Sequence, residues 1–325
     1  MQRKAGGQMK TISSDKIIYA FDPKHEPIAH VKTGELLTIE TQDAFGGQIK
    51  SERDSVETLD WSKVDGATGP IFIEDAMPGD TLVTEIINIK IPKKGVIVTV
   101  PKYGILAEEK VKPLTKIITI QEDYVEFEKI RLKTRPMIGT IGVTPRRKIP
   151  CGSLGRHGGN MDVKELTAGT RLFLPIFVEG ALFGAGDVHA VQADGELCVS
   201  AVEVPSEISL KFTLVKGRHP EWPTLEMKDS YGFLACGKTL DEAAEHATKT
   251  AVEALMREHD WSFEKAYMFS SLGVDLEINQ VVDPKKGVRA VISKDHLGLN
   301  GILFSPNCLE KPLNRVKNDS VQKHL

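Results

Sequence analysis

The feature that most limits the fold is a long series of short β-branched segments, from residue 17 to about residue 204, broken by proline and glycine. Residues 36–40, 71–73, 81–86 and 96–100 begin the series, and residues 117–120, 124–127, 130–132 and 138–143 continue it. Branched side chains are stiff at χ1 and suit a pleated, half-buried surface. Pro78-Gly79-Asp80, Pro92, Gly95 and Pro101 supply turns between them. Many short strands without helical spacers predict a sandwich or barrel and exclude βαβ units.

The pattern changes after residue 205. Thr239 followed by Glu242 makes a capping box, and Leu240, Ala243, Ala244, Ala247, Ala251, Leu255 and Met256 form an apolar stripe, so residues 239–259 read as a helix. A second helix is expected over 262–271 with Gly273 ending it, then strands over 275–282 and 287–292. The fold class is mainly β with an α+β C-terminal part. Its expected divisions are a flexible extension (1–11), a β-rich core carrying the chemistry (12–205), an α+β portion packed on that core (206–305) and a polar tail (306–325).

Composition narrows the partners. The chain has 325 residues and a formal net charge of -3, so neither nucleic acid nor an anionic membrane surface is an expected partner. No apolar run reaches about 18 residues, the length of a spanning helix. The N-terminal residues carry basic charge but no apolar segment, unlike a secretory signal. Cys151, Cys198, Cys236 and Cys308 are widely spaced, which suits a reduced, cytoplasmic protein.

Residues 151–203 gather the chemistry. His157, Asp162, Asp187, His189, Asp194 and Glu196 lie in turn-rich clusters beside two apolar runs. Imidazole and carboxylate are ligands for divalent metals and also carry protons near neutral pH. Asp187 and His189 are two apart, so on a strand they share one face and could reach a single ion; the alternative is an acidic turn residue beside a strand-end histidine. His157-Gly158-Gly159-Asn160-Met161-Asp162 adds two ligand types beside a diglycine that allows close backbone approach. Asp43, before Gly46-Gly47, is a further ligand, a substrate anchor or a turn former, and Gln48 either holds a substrate amide or satisfies backbone groups. Asp194-Gly195 reads as a hairpin turn, leaving Glu196 free as a general base. Glu179, in an apolar run, needs a cation if it is buried. Cys151, near His157, is the competing nucleophile.

Several phrases in order resemble the acetamidase/formamidase family: Thr41-Gln42-Asp43-Ala44-Phe45-Gly46-Gly47-Gln48, Ala67-Thr68-Gly69-Pro70-Ile71, Ala76-Met77-Pro78-Gly79-Asp80, His157-Gly158-Gly159-Asn160-Met161-Asp162, Gly186-Asp187-Val188-His189-Ala190 and Asp194-Gly195-Glu196. Val282-Asp283-Pro284 adds to them near the end. Asp65 stands where that pattern commonly has Asn. The resemblance implies a jelly-roll-like β-sandwich plus a small β-barrel, a homo-oligomer of two or more copies, and hydrolysis of formamide or acetamide to ammonia and the acid. On this reading His157, Asp187 and His189 hold a zinc-like divalent ion. Asp43 and Asp162 serve as further ligands or a second position, for an ion such as calcium. Glu196 moves the proton, Asn160 and the diglycine stabilise the oxyanion, and Gln48 orients the small amide. The alternatives are a metal-bound hydrolase of a cyclic amide or carbamate, and a non-catalytic metal-stabilised scaffold for a small ligand.

Overall fold

The computed structural model describes residues 10–303. Two large sheets carry the architecture, one of nine strands and one of eleven. The nine-stranded sheet begins at its edge with Lys10–Ile12, Leu36–Thr41, Ser206–Val215 and Thr81–Lys90, and ends with Ser230–Gly237, Lys286–Ser293 and Val274–Gln280. Ser206–Val215 lies between two strands from the first hundred residues, hydrogen-bonded to both, so one sheet runs across residue 205. Lys10 and Thr11, assigned from sequence to the extension, pair with Leu37 and Thr38. Residues 1–9, Cys308 and the expected polar tail lie outside the described residues.

The mainly β class with an α+β C-terminal part is what the chain forms. Strands expected from sequence appear at Leu36–Thr41, Ala67–Ile73, Thr81–Lys90, Leu114–Ile120 and Met137–Gly142. One apolar core takes side chains from both sheets, including Leu37, Ile39, Ile71, Ile138, Phe183 and Leu210. Leu240–His259 is the long helix. Thr239 caps it by accepting from the Glu242 N–H at 3.2 Å, a contact typically worth about 1 kcal/mol. Asp241 and Glu242 in its first turn and Arg257 and His259 in its last complement the helix dipole. Ala243, Ala247, Ala251 and Ala254 are fully buried, and their small side chains let the helix lie close to the strands Ser230–Gly237 and Lys286–Ser293. Ser262 caps the second helix, Phe263–Gly273. Among the described residues no helix is long and apolar enough to cross a membrane.

The Asp194-Gly195 hairpin does not form. Residues 190–200 run as an irregular loop in which Gly195 bridges to Gln280. The cause is Arg289, which is fully buried. A guanidinium out of water needs carboxylates around it, and Asp194 supplies one at 3.0 Å beside Glu165 at 3.1 Å, with Glu277 a further partner. Asp194 thus fastens its loop to the C-terminal strands, and Glu196 travels with it. Glu179 is exposed, which removes its need for a partner.

Candidate metal centre

The strand Phe183–His189 is buried along its whole length. Met137–Gly142 pairs with one edge. On the other edge Ala67–Ile73 pairs with its first half and Glu203–Val204 with its end. His189 is directly opposite Glu203. Cross-strand partners bring their side chains together, and Glu203 Oε2 lies 3.0 Å from His189 Nε2. Asp187, two residues earlier, places Oδ1 3.2 Å from the same nitrogen.

Gly139 makes room for this convergence. A Cβ there would stand 2.5 Å from Asp187 Oδ2 and 2.6 Å from Asp162 Oδ1. Two carboxylates from different elements therefore crowd the space that the missing side chain leaves. Asp65, Asp162, Asp187 and Glu196 all hold positive φ, between 44° and 53°. Left-handed backbone is uncommon outside glycine and tends to gather where a site aims its side chains.

Two donor sets result, each with its atoms within 4.8 Å of one another: Asp187, His189 and Glu203, and Asp162, His189 and Glu196. All five residues are buried. The tautomer of His189 tests whether a cation fits. Gln192 Nε2 donates to the Asp162 carbonyl at 2.7 Å, which turns Gln192 Oε1 toward His189 Nδ1, also at 2.7 Å. A carbonyl oxygen only accepts, so Nδ1 carries a proton. A neutral ring then aims its Nε2 lone pair at two carboxylates, and only a proton or a cation at that point resolves the repulsion. Both carboxylate oxygens of Asp162 are buried without a hydrogen-bond partner. Nitrogen and oxygen donors around one point, with orphaned carboxylate atoms beside them, fit a divalent metal.

Where no cation is bound, the same carboxylates hold a proton at that point. Burial disfavours charge on His189, yet the Glu203 and Asp187 carboxylates overcome it and hold the ring well above its ordinary range. Burial opposes ionisation of Asp187 as well, but His189 outweighs it and the carboxyl falls below its usual value. Burial raises Glu203 to about 7, His189 offsetting part of the rise. Burial also lifts Asp162 and Glu196 well above the carboxylate range; neighbouring acids add to the rise while His189 opposes it. Asp283 is pushed up to about 7 by burial, against a hydrogen bond from Asn160.

The remaining expected residues divide. His157 belongs to neither donor set. Its ring lies edge-on to Phe21 at 5.3 Å, between Gly155 and Gly159, and burial lowers its pKa to about 4. Asp43 accepts from the Gly47 N–H at 3.0 Å within its own loop. Gln48 spends its amide on the Asp60 backbone, accepting at 2.8 Å and donating at 3.3 Å. Asn160 borders the cavity, but its Oδ1 accepts from Thr140 and its Nδ2 donates to Asp283. The Gly158 N–H goes to the Gly155 carbonyl at 3.1 Å. Cys151 donates to the Ile18 carbonyl, and burial pushes its thiol up to about 12.

Glu203 is the donor that the sequence reading missed. The signal was present, since Glu203 sits in the apolar run Ala201-Val202-Glu203-Val204, the same argument that was applied to Glu179. Asp283, half-buried in the cavity wall, was legible only as part of a longer phrase, and Asp65, likewise half-buried there, only as a departure from the family pattern.

Above the carboxylates opens a cavity of about 440 Å³. Asp187, Glu196, Glu203 and Asp283 line it together with Phe45, Val98, Val100, Trp61 and Tyr103.

Fold and site together define a β-rich protein with a buried imidazole–carboxylate centre at the foot of an open cavity. The chain belongs to the Acetamidase/Formamidase family, whose sequence profile matches residues 8–154 and 146–293. It is similar to a solved acetamidase/formamidase of Thermoanaerobacter tengcongensis, described there as predicted, with TM-score 0.87 and 38% identity over 91% of this chain and 99% of that one. A solved acetamidase from Bacillus halodurans has TM-score 0.85 and 37% identity, over 87% and 97% of the two chains. A formamidase of Methylophilus methylotrophus is 24% identical over 58% of this chain, and the match spans 61% of that protein's length. The chain thus spans about three fifths of the length of curated formamidases that it matches.

Proposed function

We propose that the protein is a metal-dependent amidohydrolase that converts a simple linear amide, formamide and acetamide among them, to ammonia and the carboxylic acid. The carrying observation is the His189 Nε2 lone pair facing Asp187 and Glu203 at 3.2 Å and 3.0 Å, fixed in that tautomer by Gln192. His189, Asp187 and Glu203 hold the ion, with Asp162 and Glu196 close enough to serve it or a second one. A divalent ion bound there supplies Lewis acidity toward the amide carbonyl and brings the pKa of a water down to about 7. Zinc suits the mixed nitrogen and oxygen set, and calcium an all-oxygen position.

The chain's residues do the rest. Glu196 borders both the cavity and the donor set, and its carboxyl is held well above the usual range by burial and by neighbouring acids. It takes a proton from the attacking water and returns it to the departing nitrogen, since one carboxylate can do both jobs. Gln192 holds His189 in place from the other side of the ring. Membership of the family and likeness to acetamidases support the reaction. Cytoplasmic placement and assembly into a homo-oligomer complete the proposal.

The test is ammonia release from formamide and acetamide by the purified protein, before and after chelation and after adding zinc back. Activity should disappear with the metal and return with it. In His189→Ala both bound metal and ammonia release should be lost while the circular dichroism spectrum is unchanged. Full turnover after complete metal removal would sink the proposal.

A further inference from the structure

We infer that among linear amides this site prefers those with a bulky apolar acyl group, seated against the wall of the cavity above the carboxylates. The polar end of that ligand rests on the amidohydrolase reading; the apolar end rests on the cavity alone. Its volume is about 440 Å³. Formamide or acetamide has about the bulk of two or three waters, each with a share of roughly 30 Å³ in the liquid. Either would leave most of the space to solvent.

The lining has an acidic floor and one apolar side, while Asp65, Asn160, Ser153 and Asp283 make the opposite side polar. Asp187, Glu203 and Glu196, at 3%, 2% and 8% exposure, form the floor. Phe45, Val98 and Val100, with Val199 packed on them, form an apolar wall that belongs to a cluster separate from the main core. At the outer end the Trp61 and Tyr103 rings stack 6.1 Å apart and within 4° of parallel, each about half exposed. The chain two residues beyond Tyr103 is tied to the loop of Glu196, since the Ile105 N–H donates to the Leu197 carbonyl at 2.9 Å. Rim and floor are thereby held in register.

Water gains little from such a wall, and an apolar substituent gains from leaving water for it. The amide group has hydrogen bonds to satisfy and belongs at the acidic floor. Its acyl chain then runs outward along Val98 and Val100 toward the stacked rings, which offer a flat face to an aromatic or branched end.

Methyl ketones test this without turnover, since they present the same carbonyl and acyl chain but no leaving nitrogen. Binding of acetone, pentanone and benzylacetone to the zinc-loaded protein is measured by calorimetry. Affinity should rise about fourfold for each buried methylene group, with benzylacetone tightest. Affinity that is flat or falls with size overturns the inference, whatever the protein hydrolyses. In parallel, ammonia release is compared for acetamide and phenylpropionamide. Tight ketone binding with no ammonia from any amide would leave the cavity assignment standing and remove the hydrolase reading. Val100→Trp, which fills the wall, should shrink the ratio of benzylacetone to acetone affinity at least tenfold; an undiminished ratio places the apolar chain elsewhere and also overturns the inference. The wild-type series decides the matter even if that variant fails to fold.

Discussion

Gln192 decides which nitrogen of His189 faces the carboxylates. Its Oε1 sits 2.7 Å from His189 Nδ1, and its own orientation is locked by donation to the Asp162 carbonyl. Removing the acceptor frees the ring to turn or change tautomer. Gln192→Leu should therefore weaken metal affinity by about 10–100-fold, the usual effect of losing a partner behind a ligand. A zinc titration by competition with a chromophoric chelator reads this directly, and unchanged affinity would show that the tautomer is set by something else.

Gly139 is a second point where the centre depends on a residue that binds nothing. A methyl group at that position would meet Asp187 Oδ2 at 2.5 Å and the Asp187 carbonyl at 2.9 Å. The backbone atom cannot move aside as a flexible side chain would. Gly139→Ala should cost about 1–3 kcal/mol of stability in urea unfolding, in the range of overpacked cores, and should lower bound metal more than the stability loss explains. A variant as stable and as metal-rich as the parent would mean that Asp187 does not need that space.

Residues that act locally were readable in advance, and those that act across the fold were not. Thr239 and Glu242 announced the long helix because a cap and a stripe are contained in one short segment. Asp187 and His189 could be paired because strand alternation alone joins them. Glu203 reaches the centre through strand pairing with His189, and no spacing rule in the chain encodes that register. Asp194-Gly195 failed as a hairpin because Arg289, far along the chain, drew Asp194 away. The diglycine beside His157 did signal an unusual backbone, with φ of 90° and 87°, but the histidine it releases lies against Phe21 and not in a donor set.

Cys151 is a poor nucleophile where it stands. Burial pushes its thiol up to about 12, and its Sγ–H is spent on the Ile18 carbonyl at 3.4 Å. At neutral pH almost none is thiolate, the form that attacks. Cys151→Ser keeps a donor for that carbonyl and should leave kcat within about twofold, at a stability cost of about 1–2 kcal/mol for a buried hydroxyl. Loss of all turnover in a folded, metal-loaded variant would restore the thiol as a reactive group.

His157 gives the protein a distinct acid response. Burial, with a smaller contribution from Lys285, lowers its pKa from 6.5 to about 4. Between those values the unfolded chain binds a proton that the folded chain does not, so unfolding free energy rises with pH through the window and falls as acid is added. Below the folded value the loss from this one group approaches about 3 kcal/mol. In His157→Gln the group is absent. The difference in unfolding free energy between parent and variant should be constant above pH 6.5 and shift in the variant's favour as the pH approaches 4. Urea unfolding at a series of pH values measures it in the metal-free proteins, where ligand protonation is not mixed with metal release. Parallel stability curves across the window would show that His157 titrates normally. Loss of zinc from the variant at neutral pH would bring its unpartnered Nε2 back into the centre as a ligand.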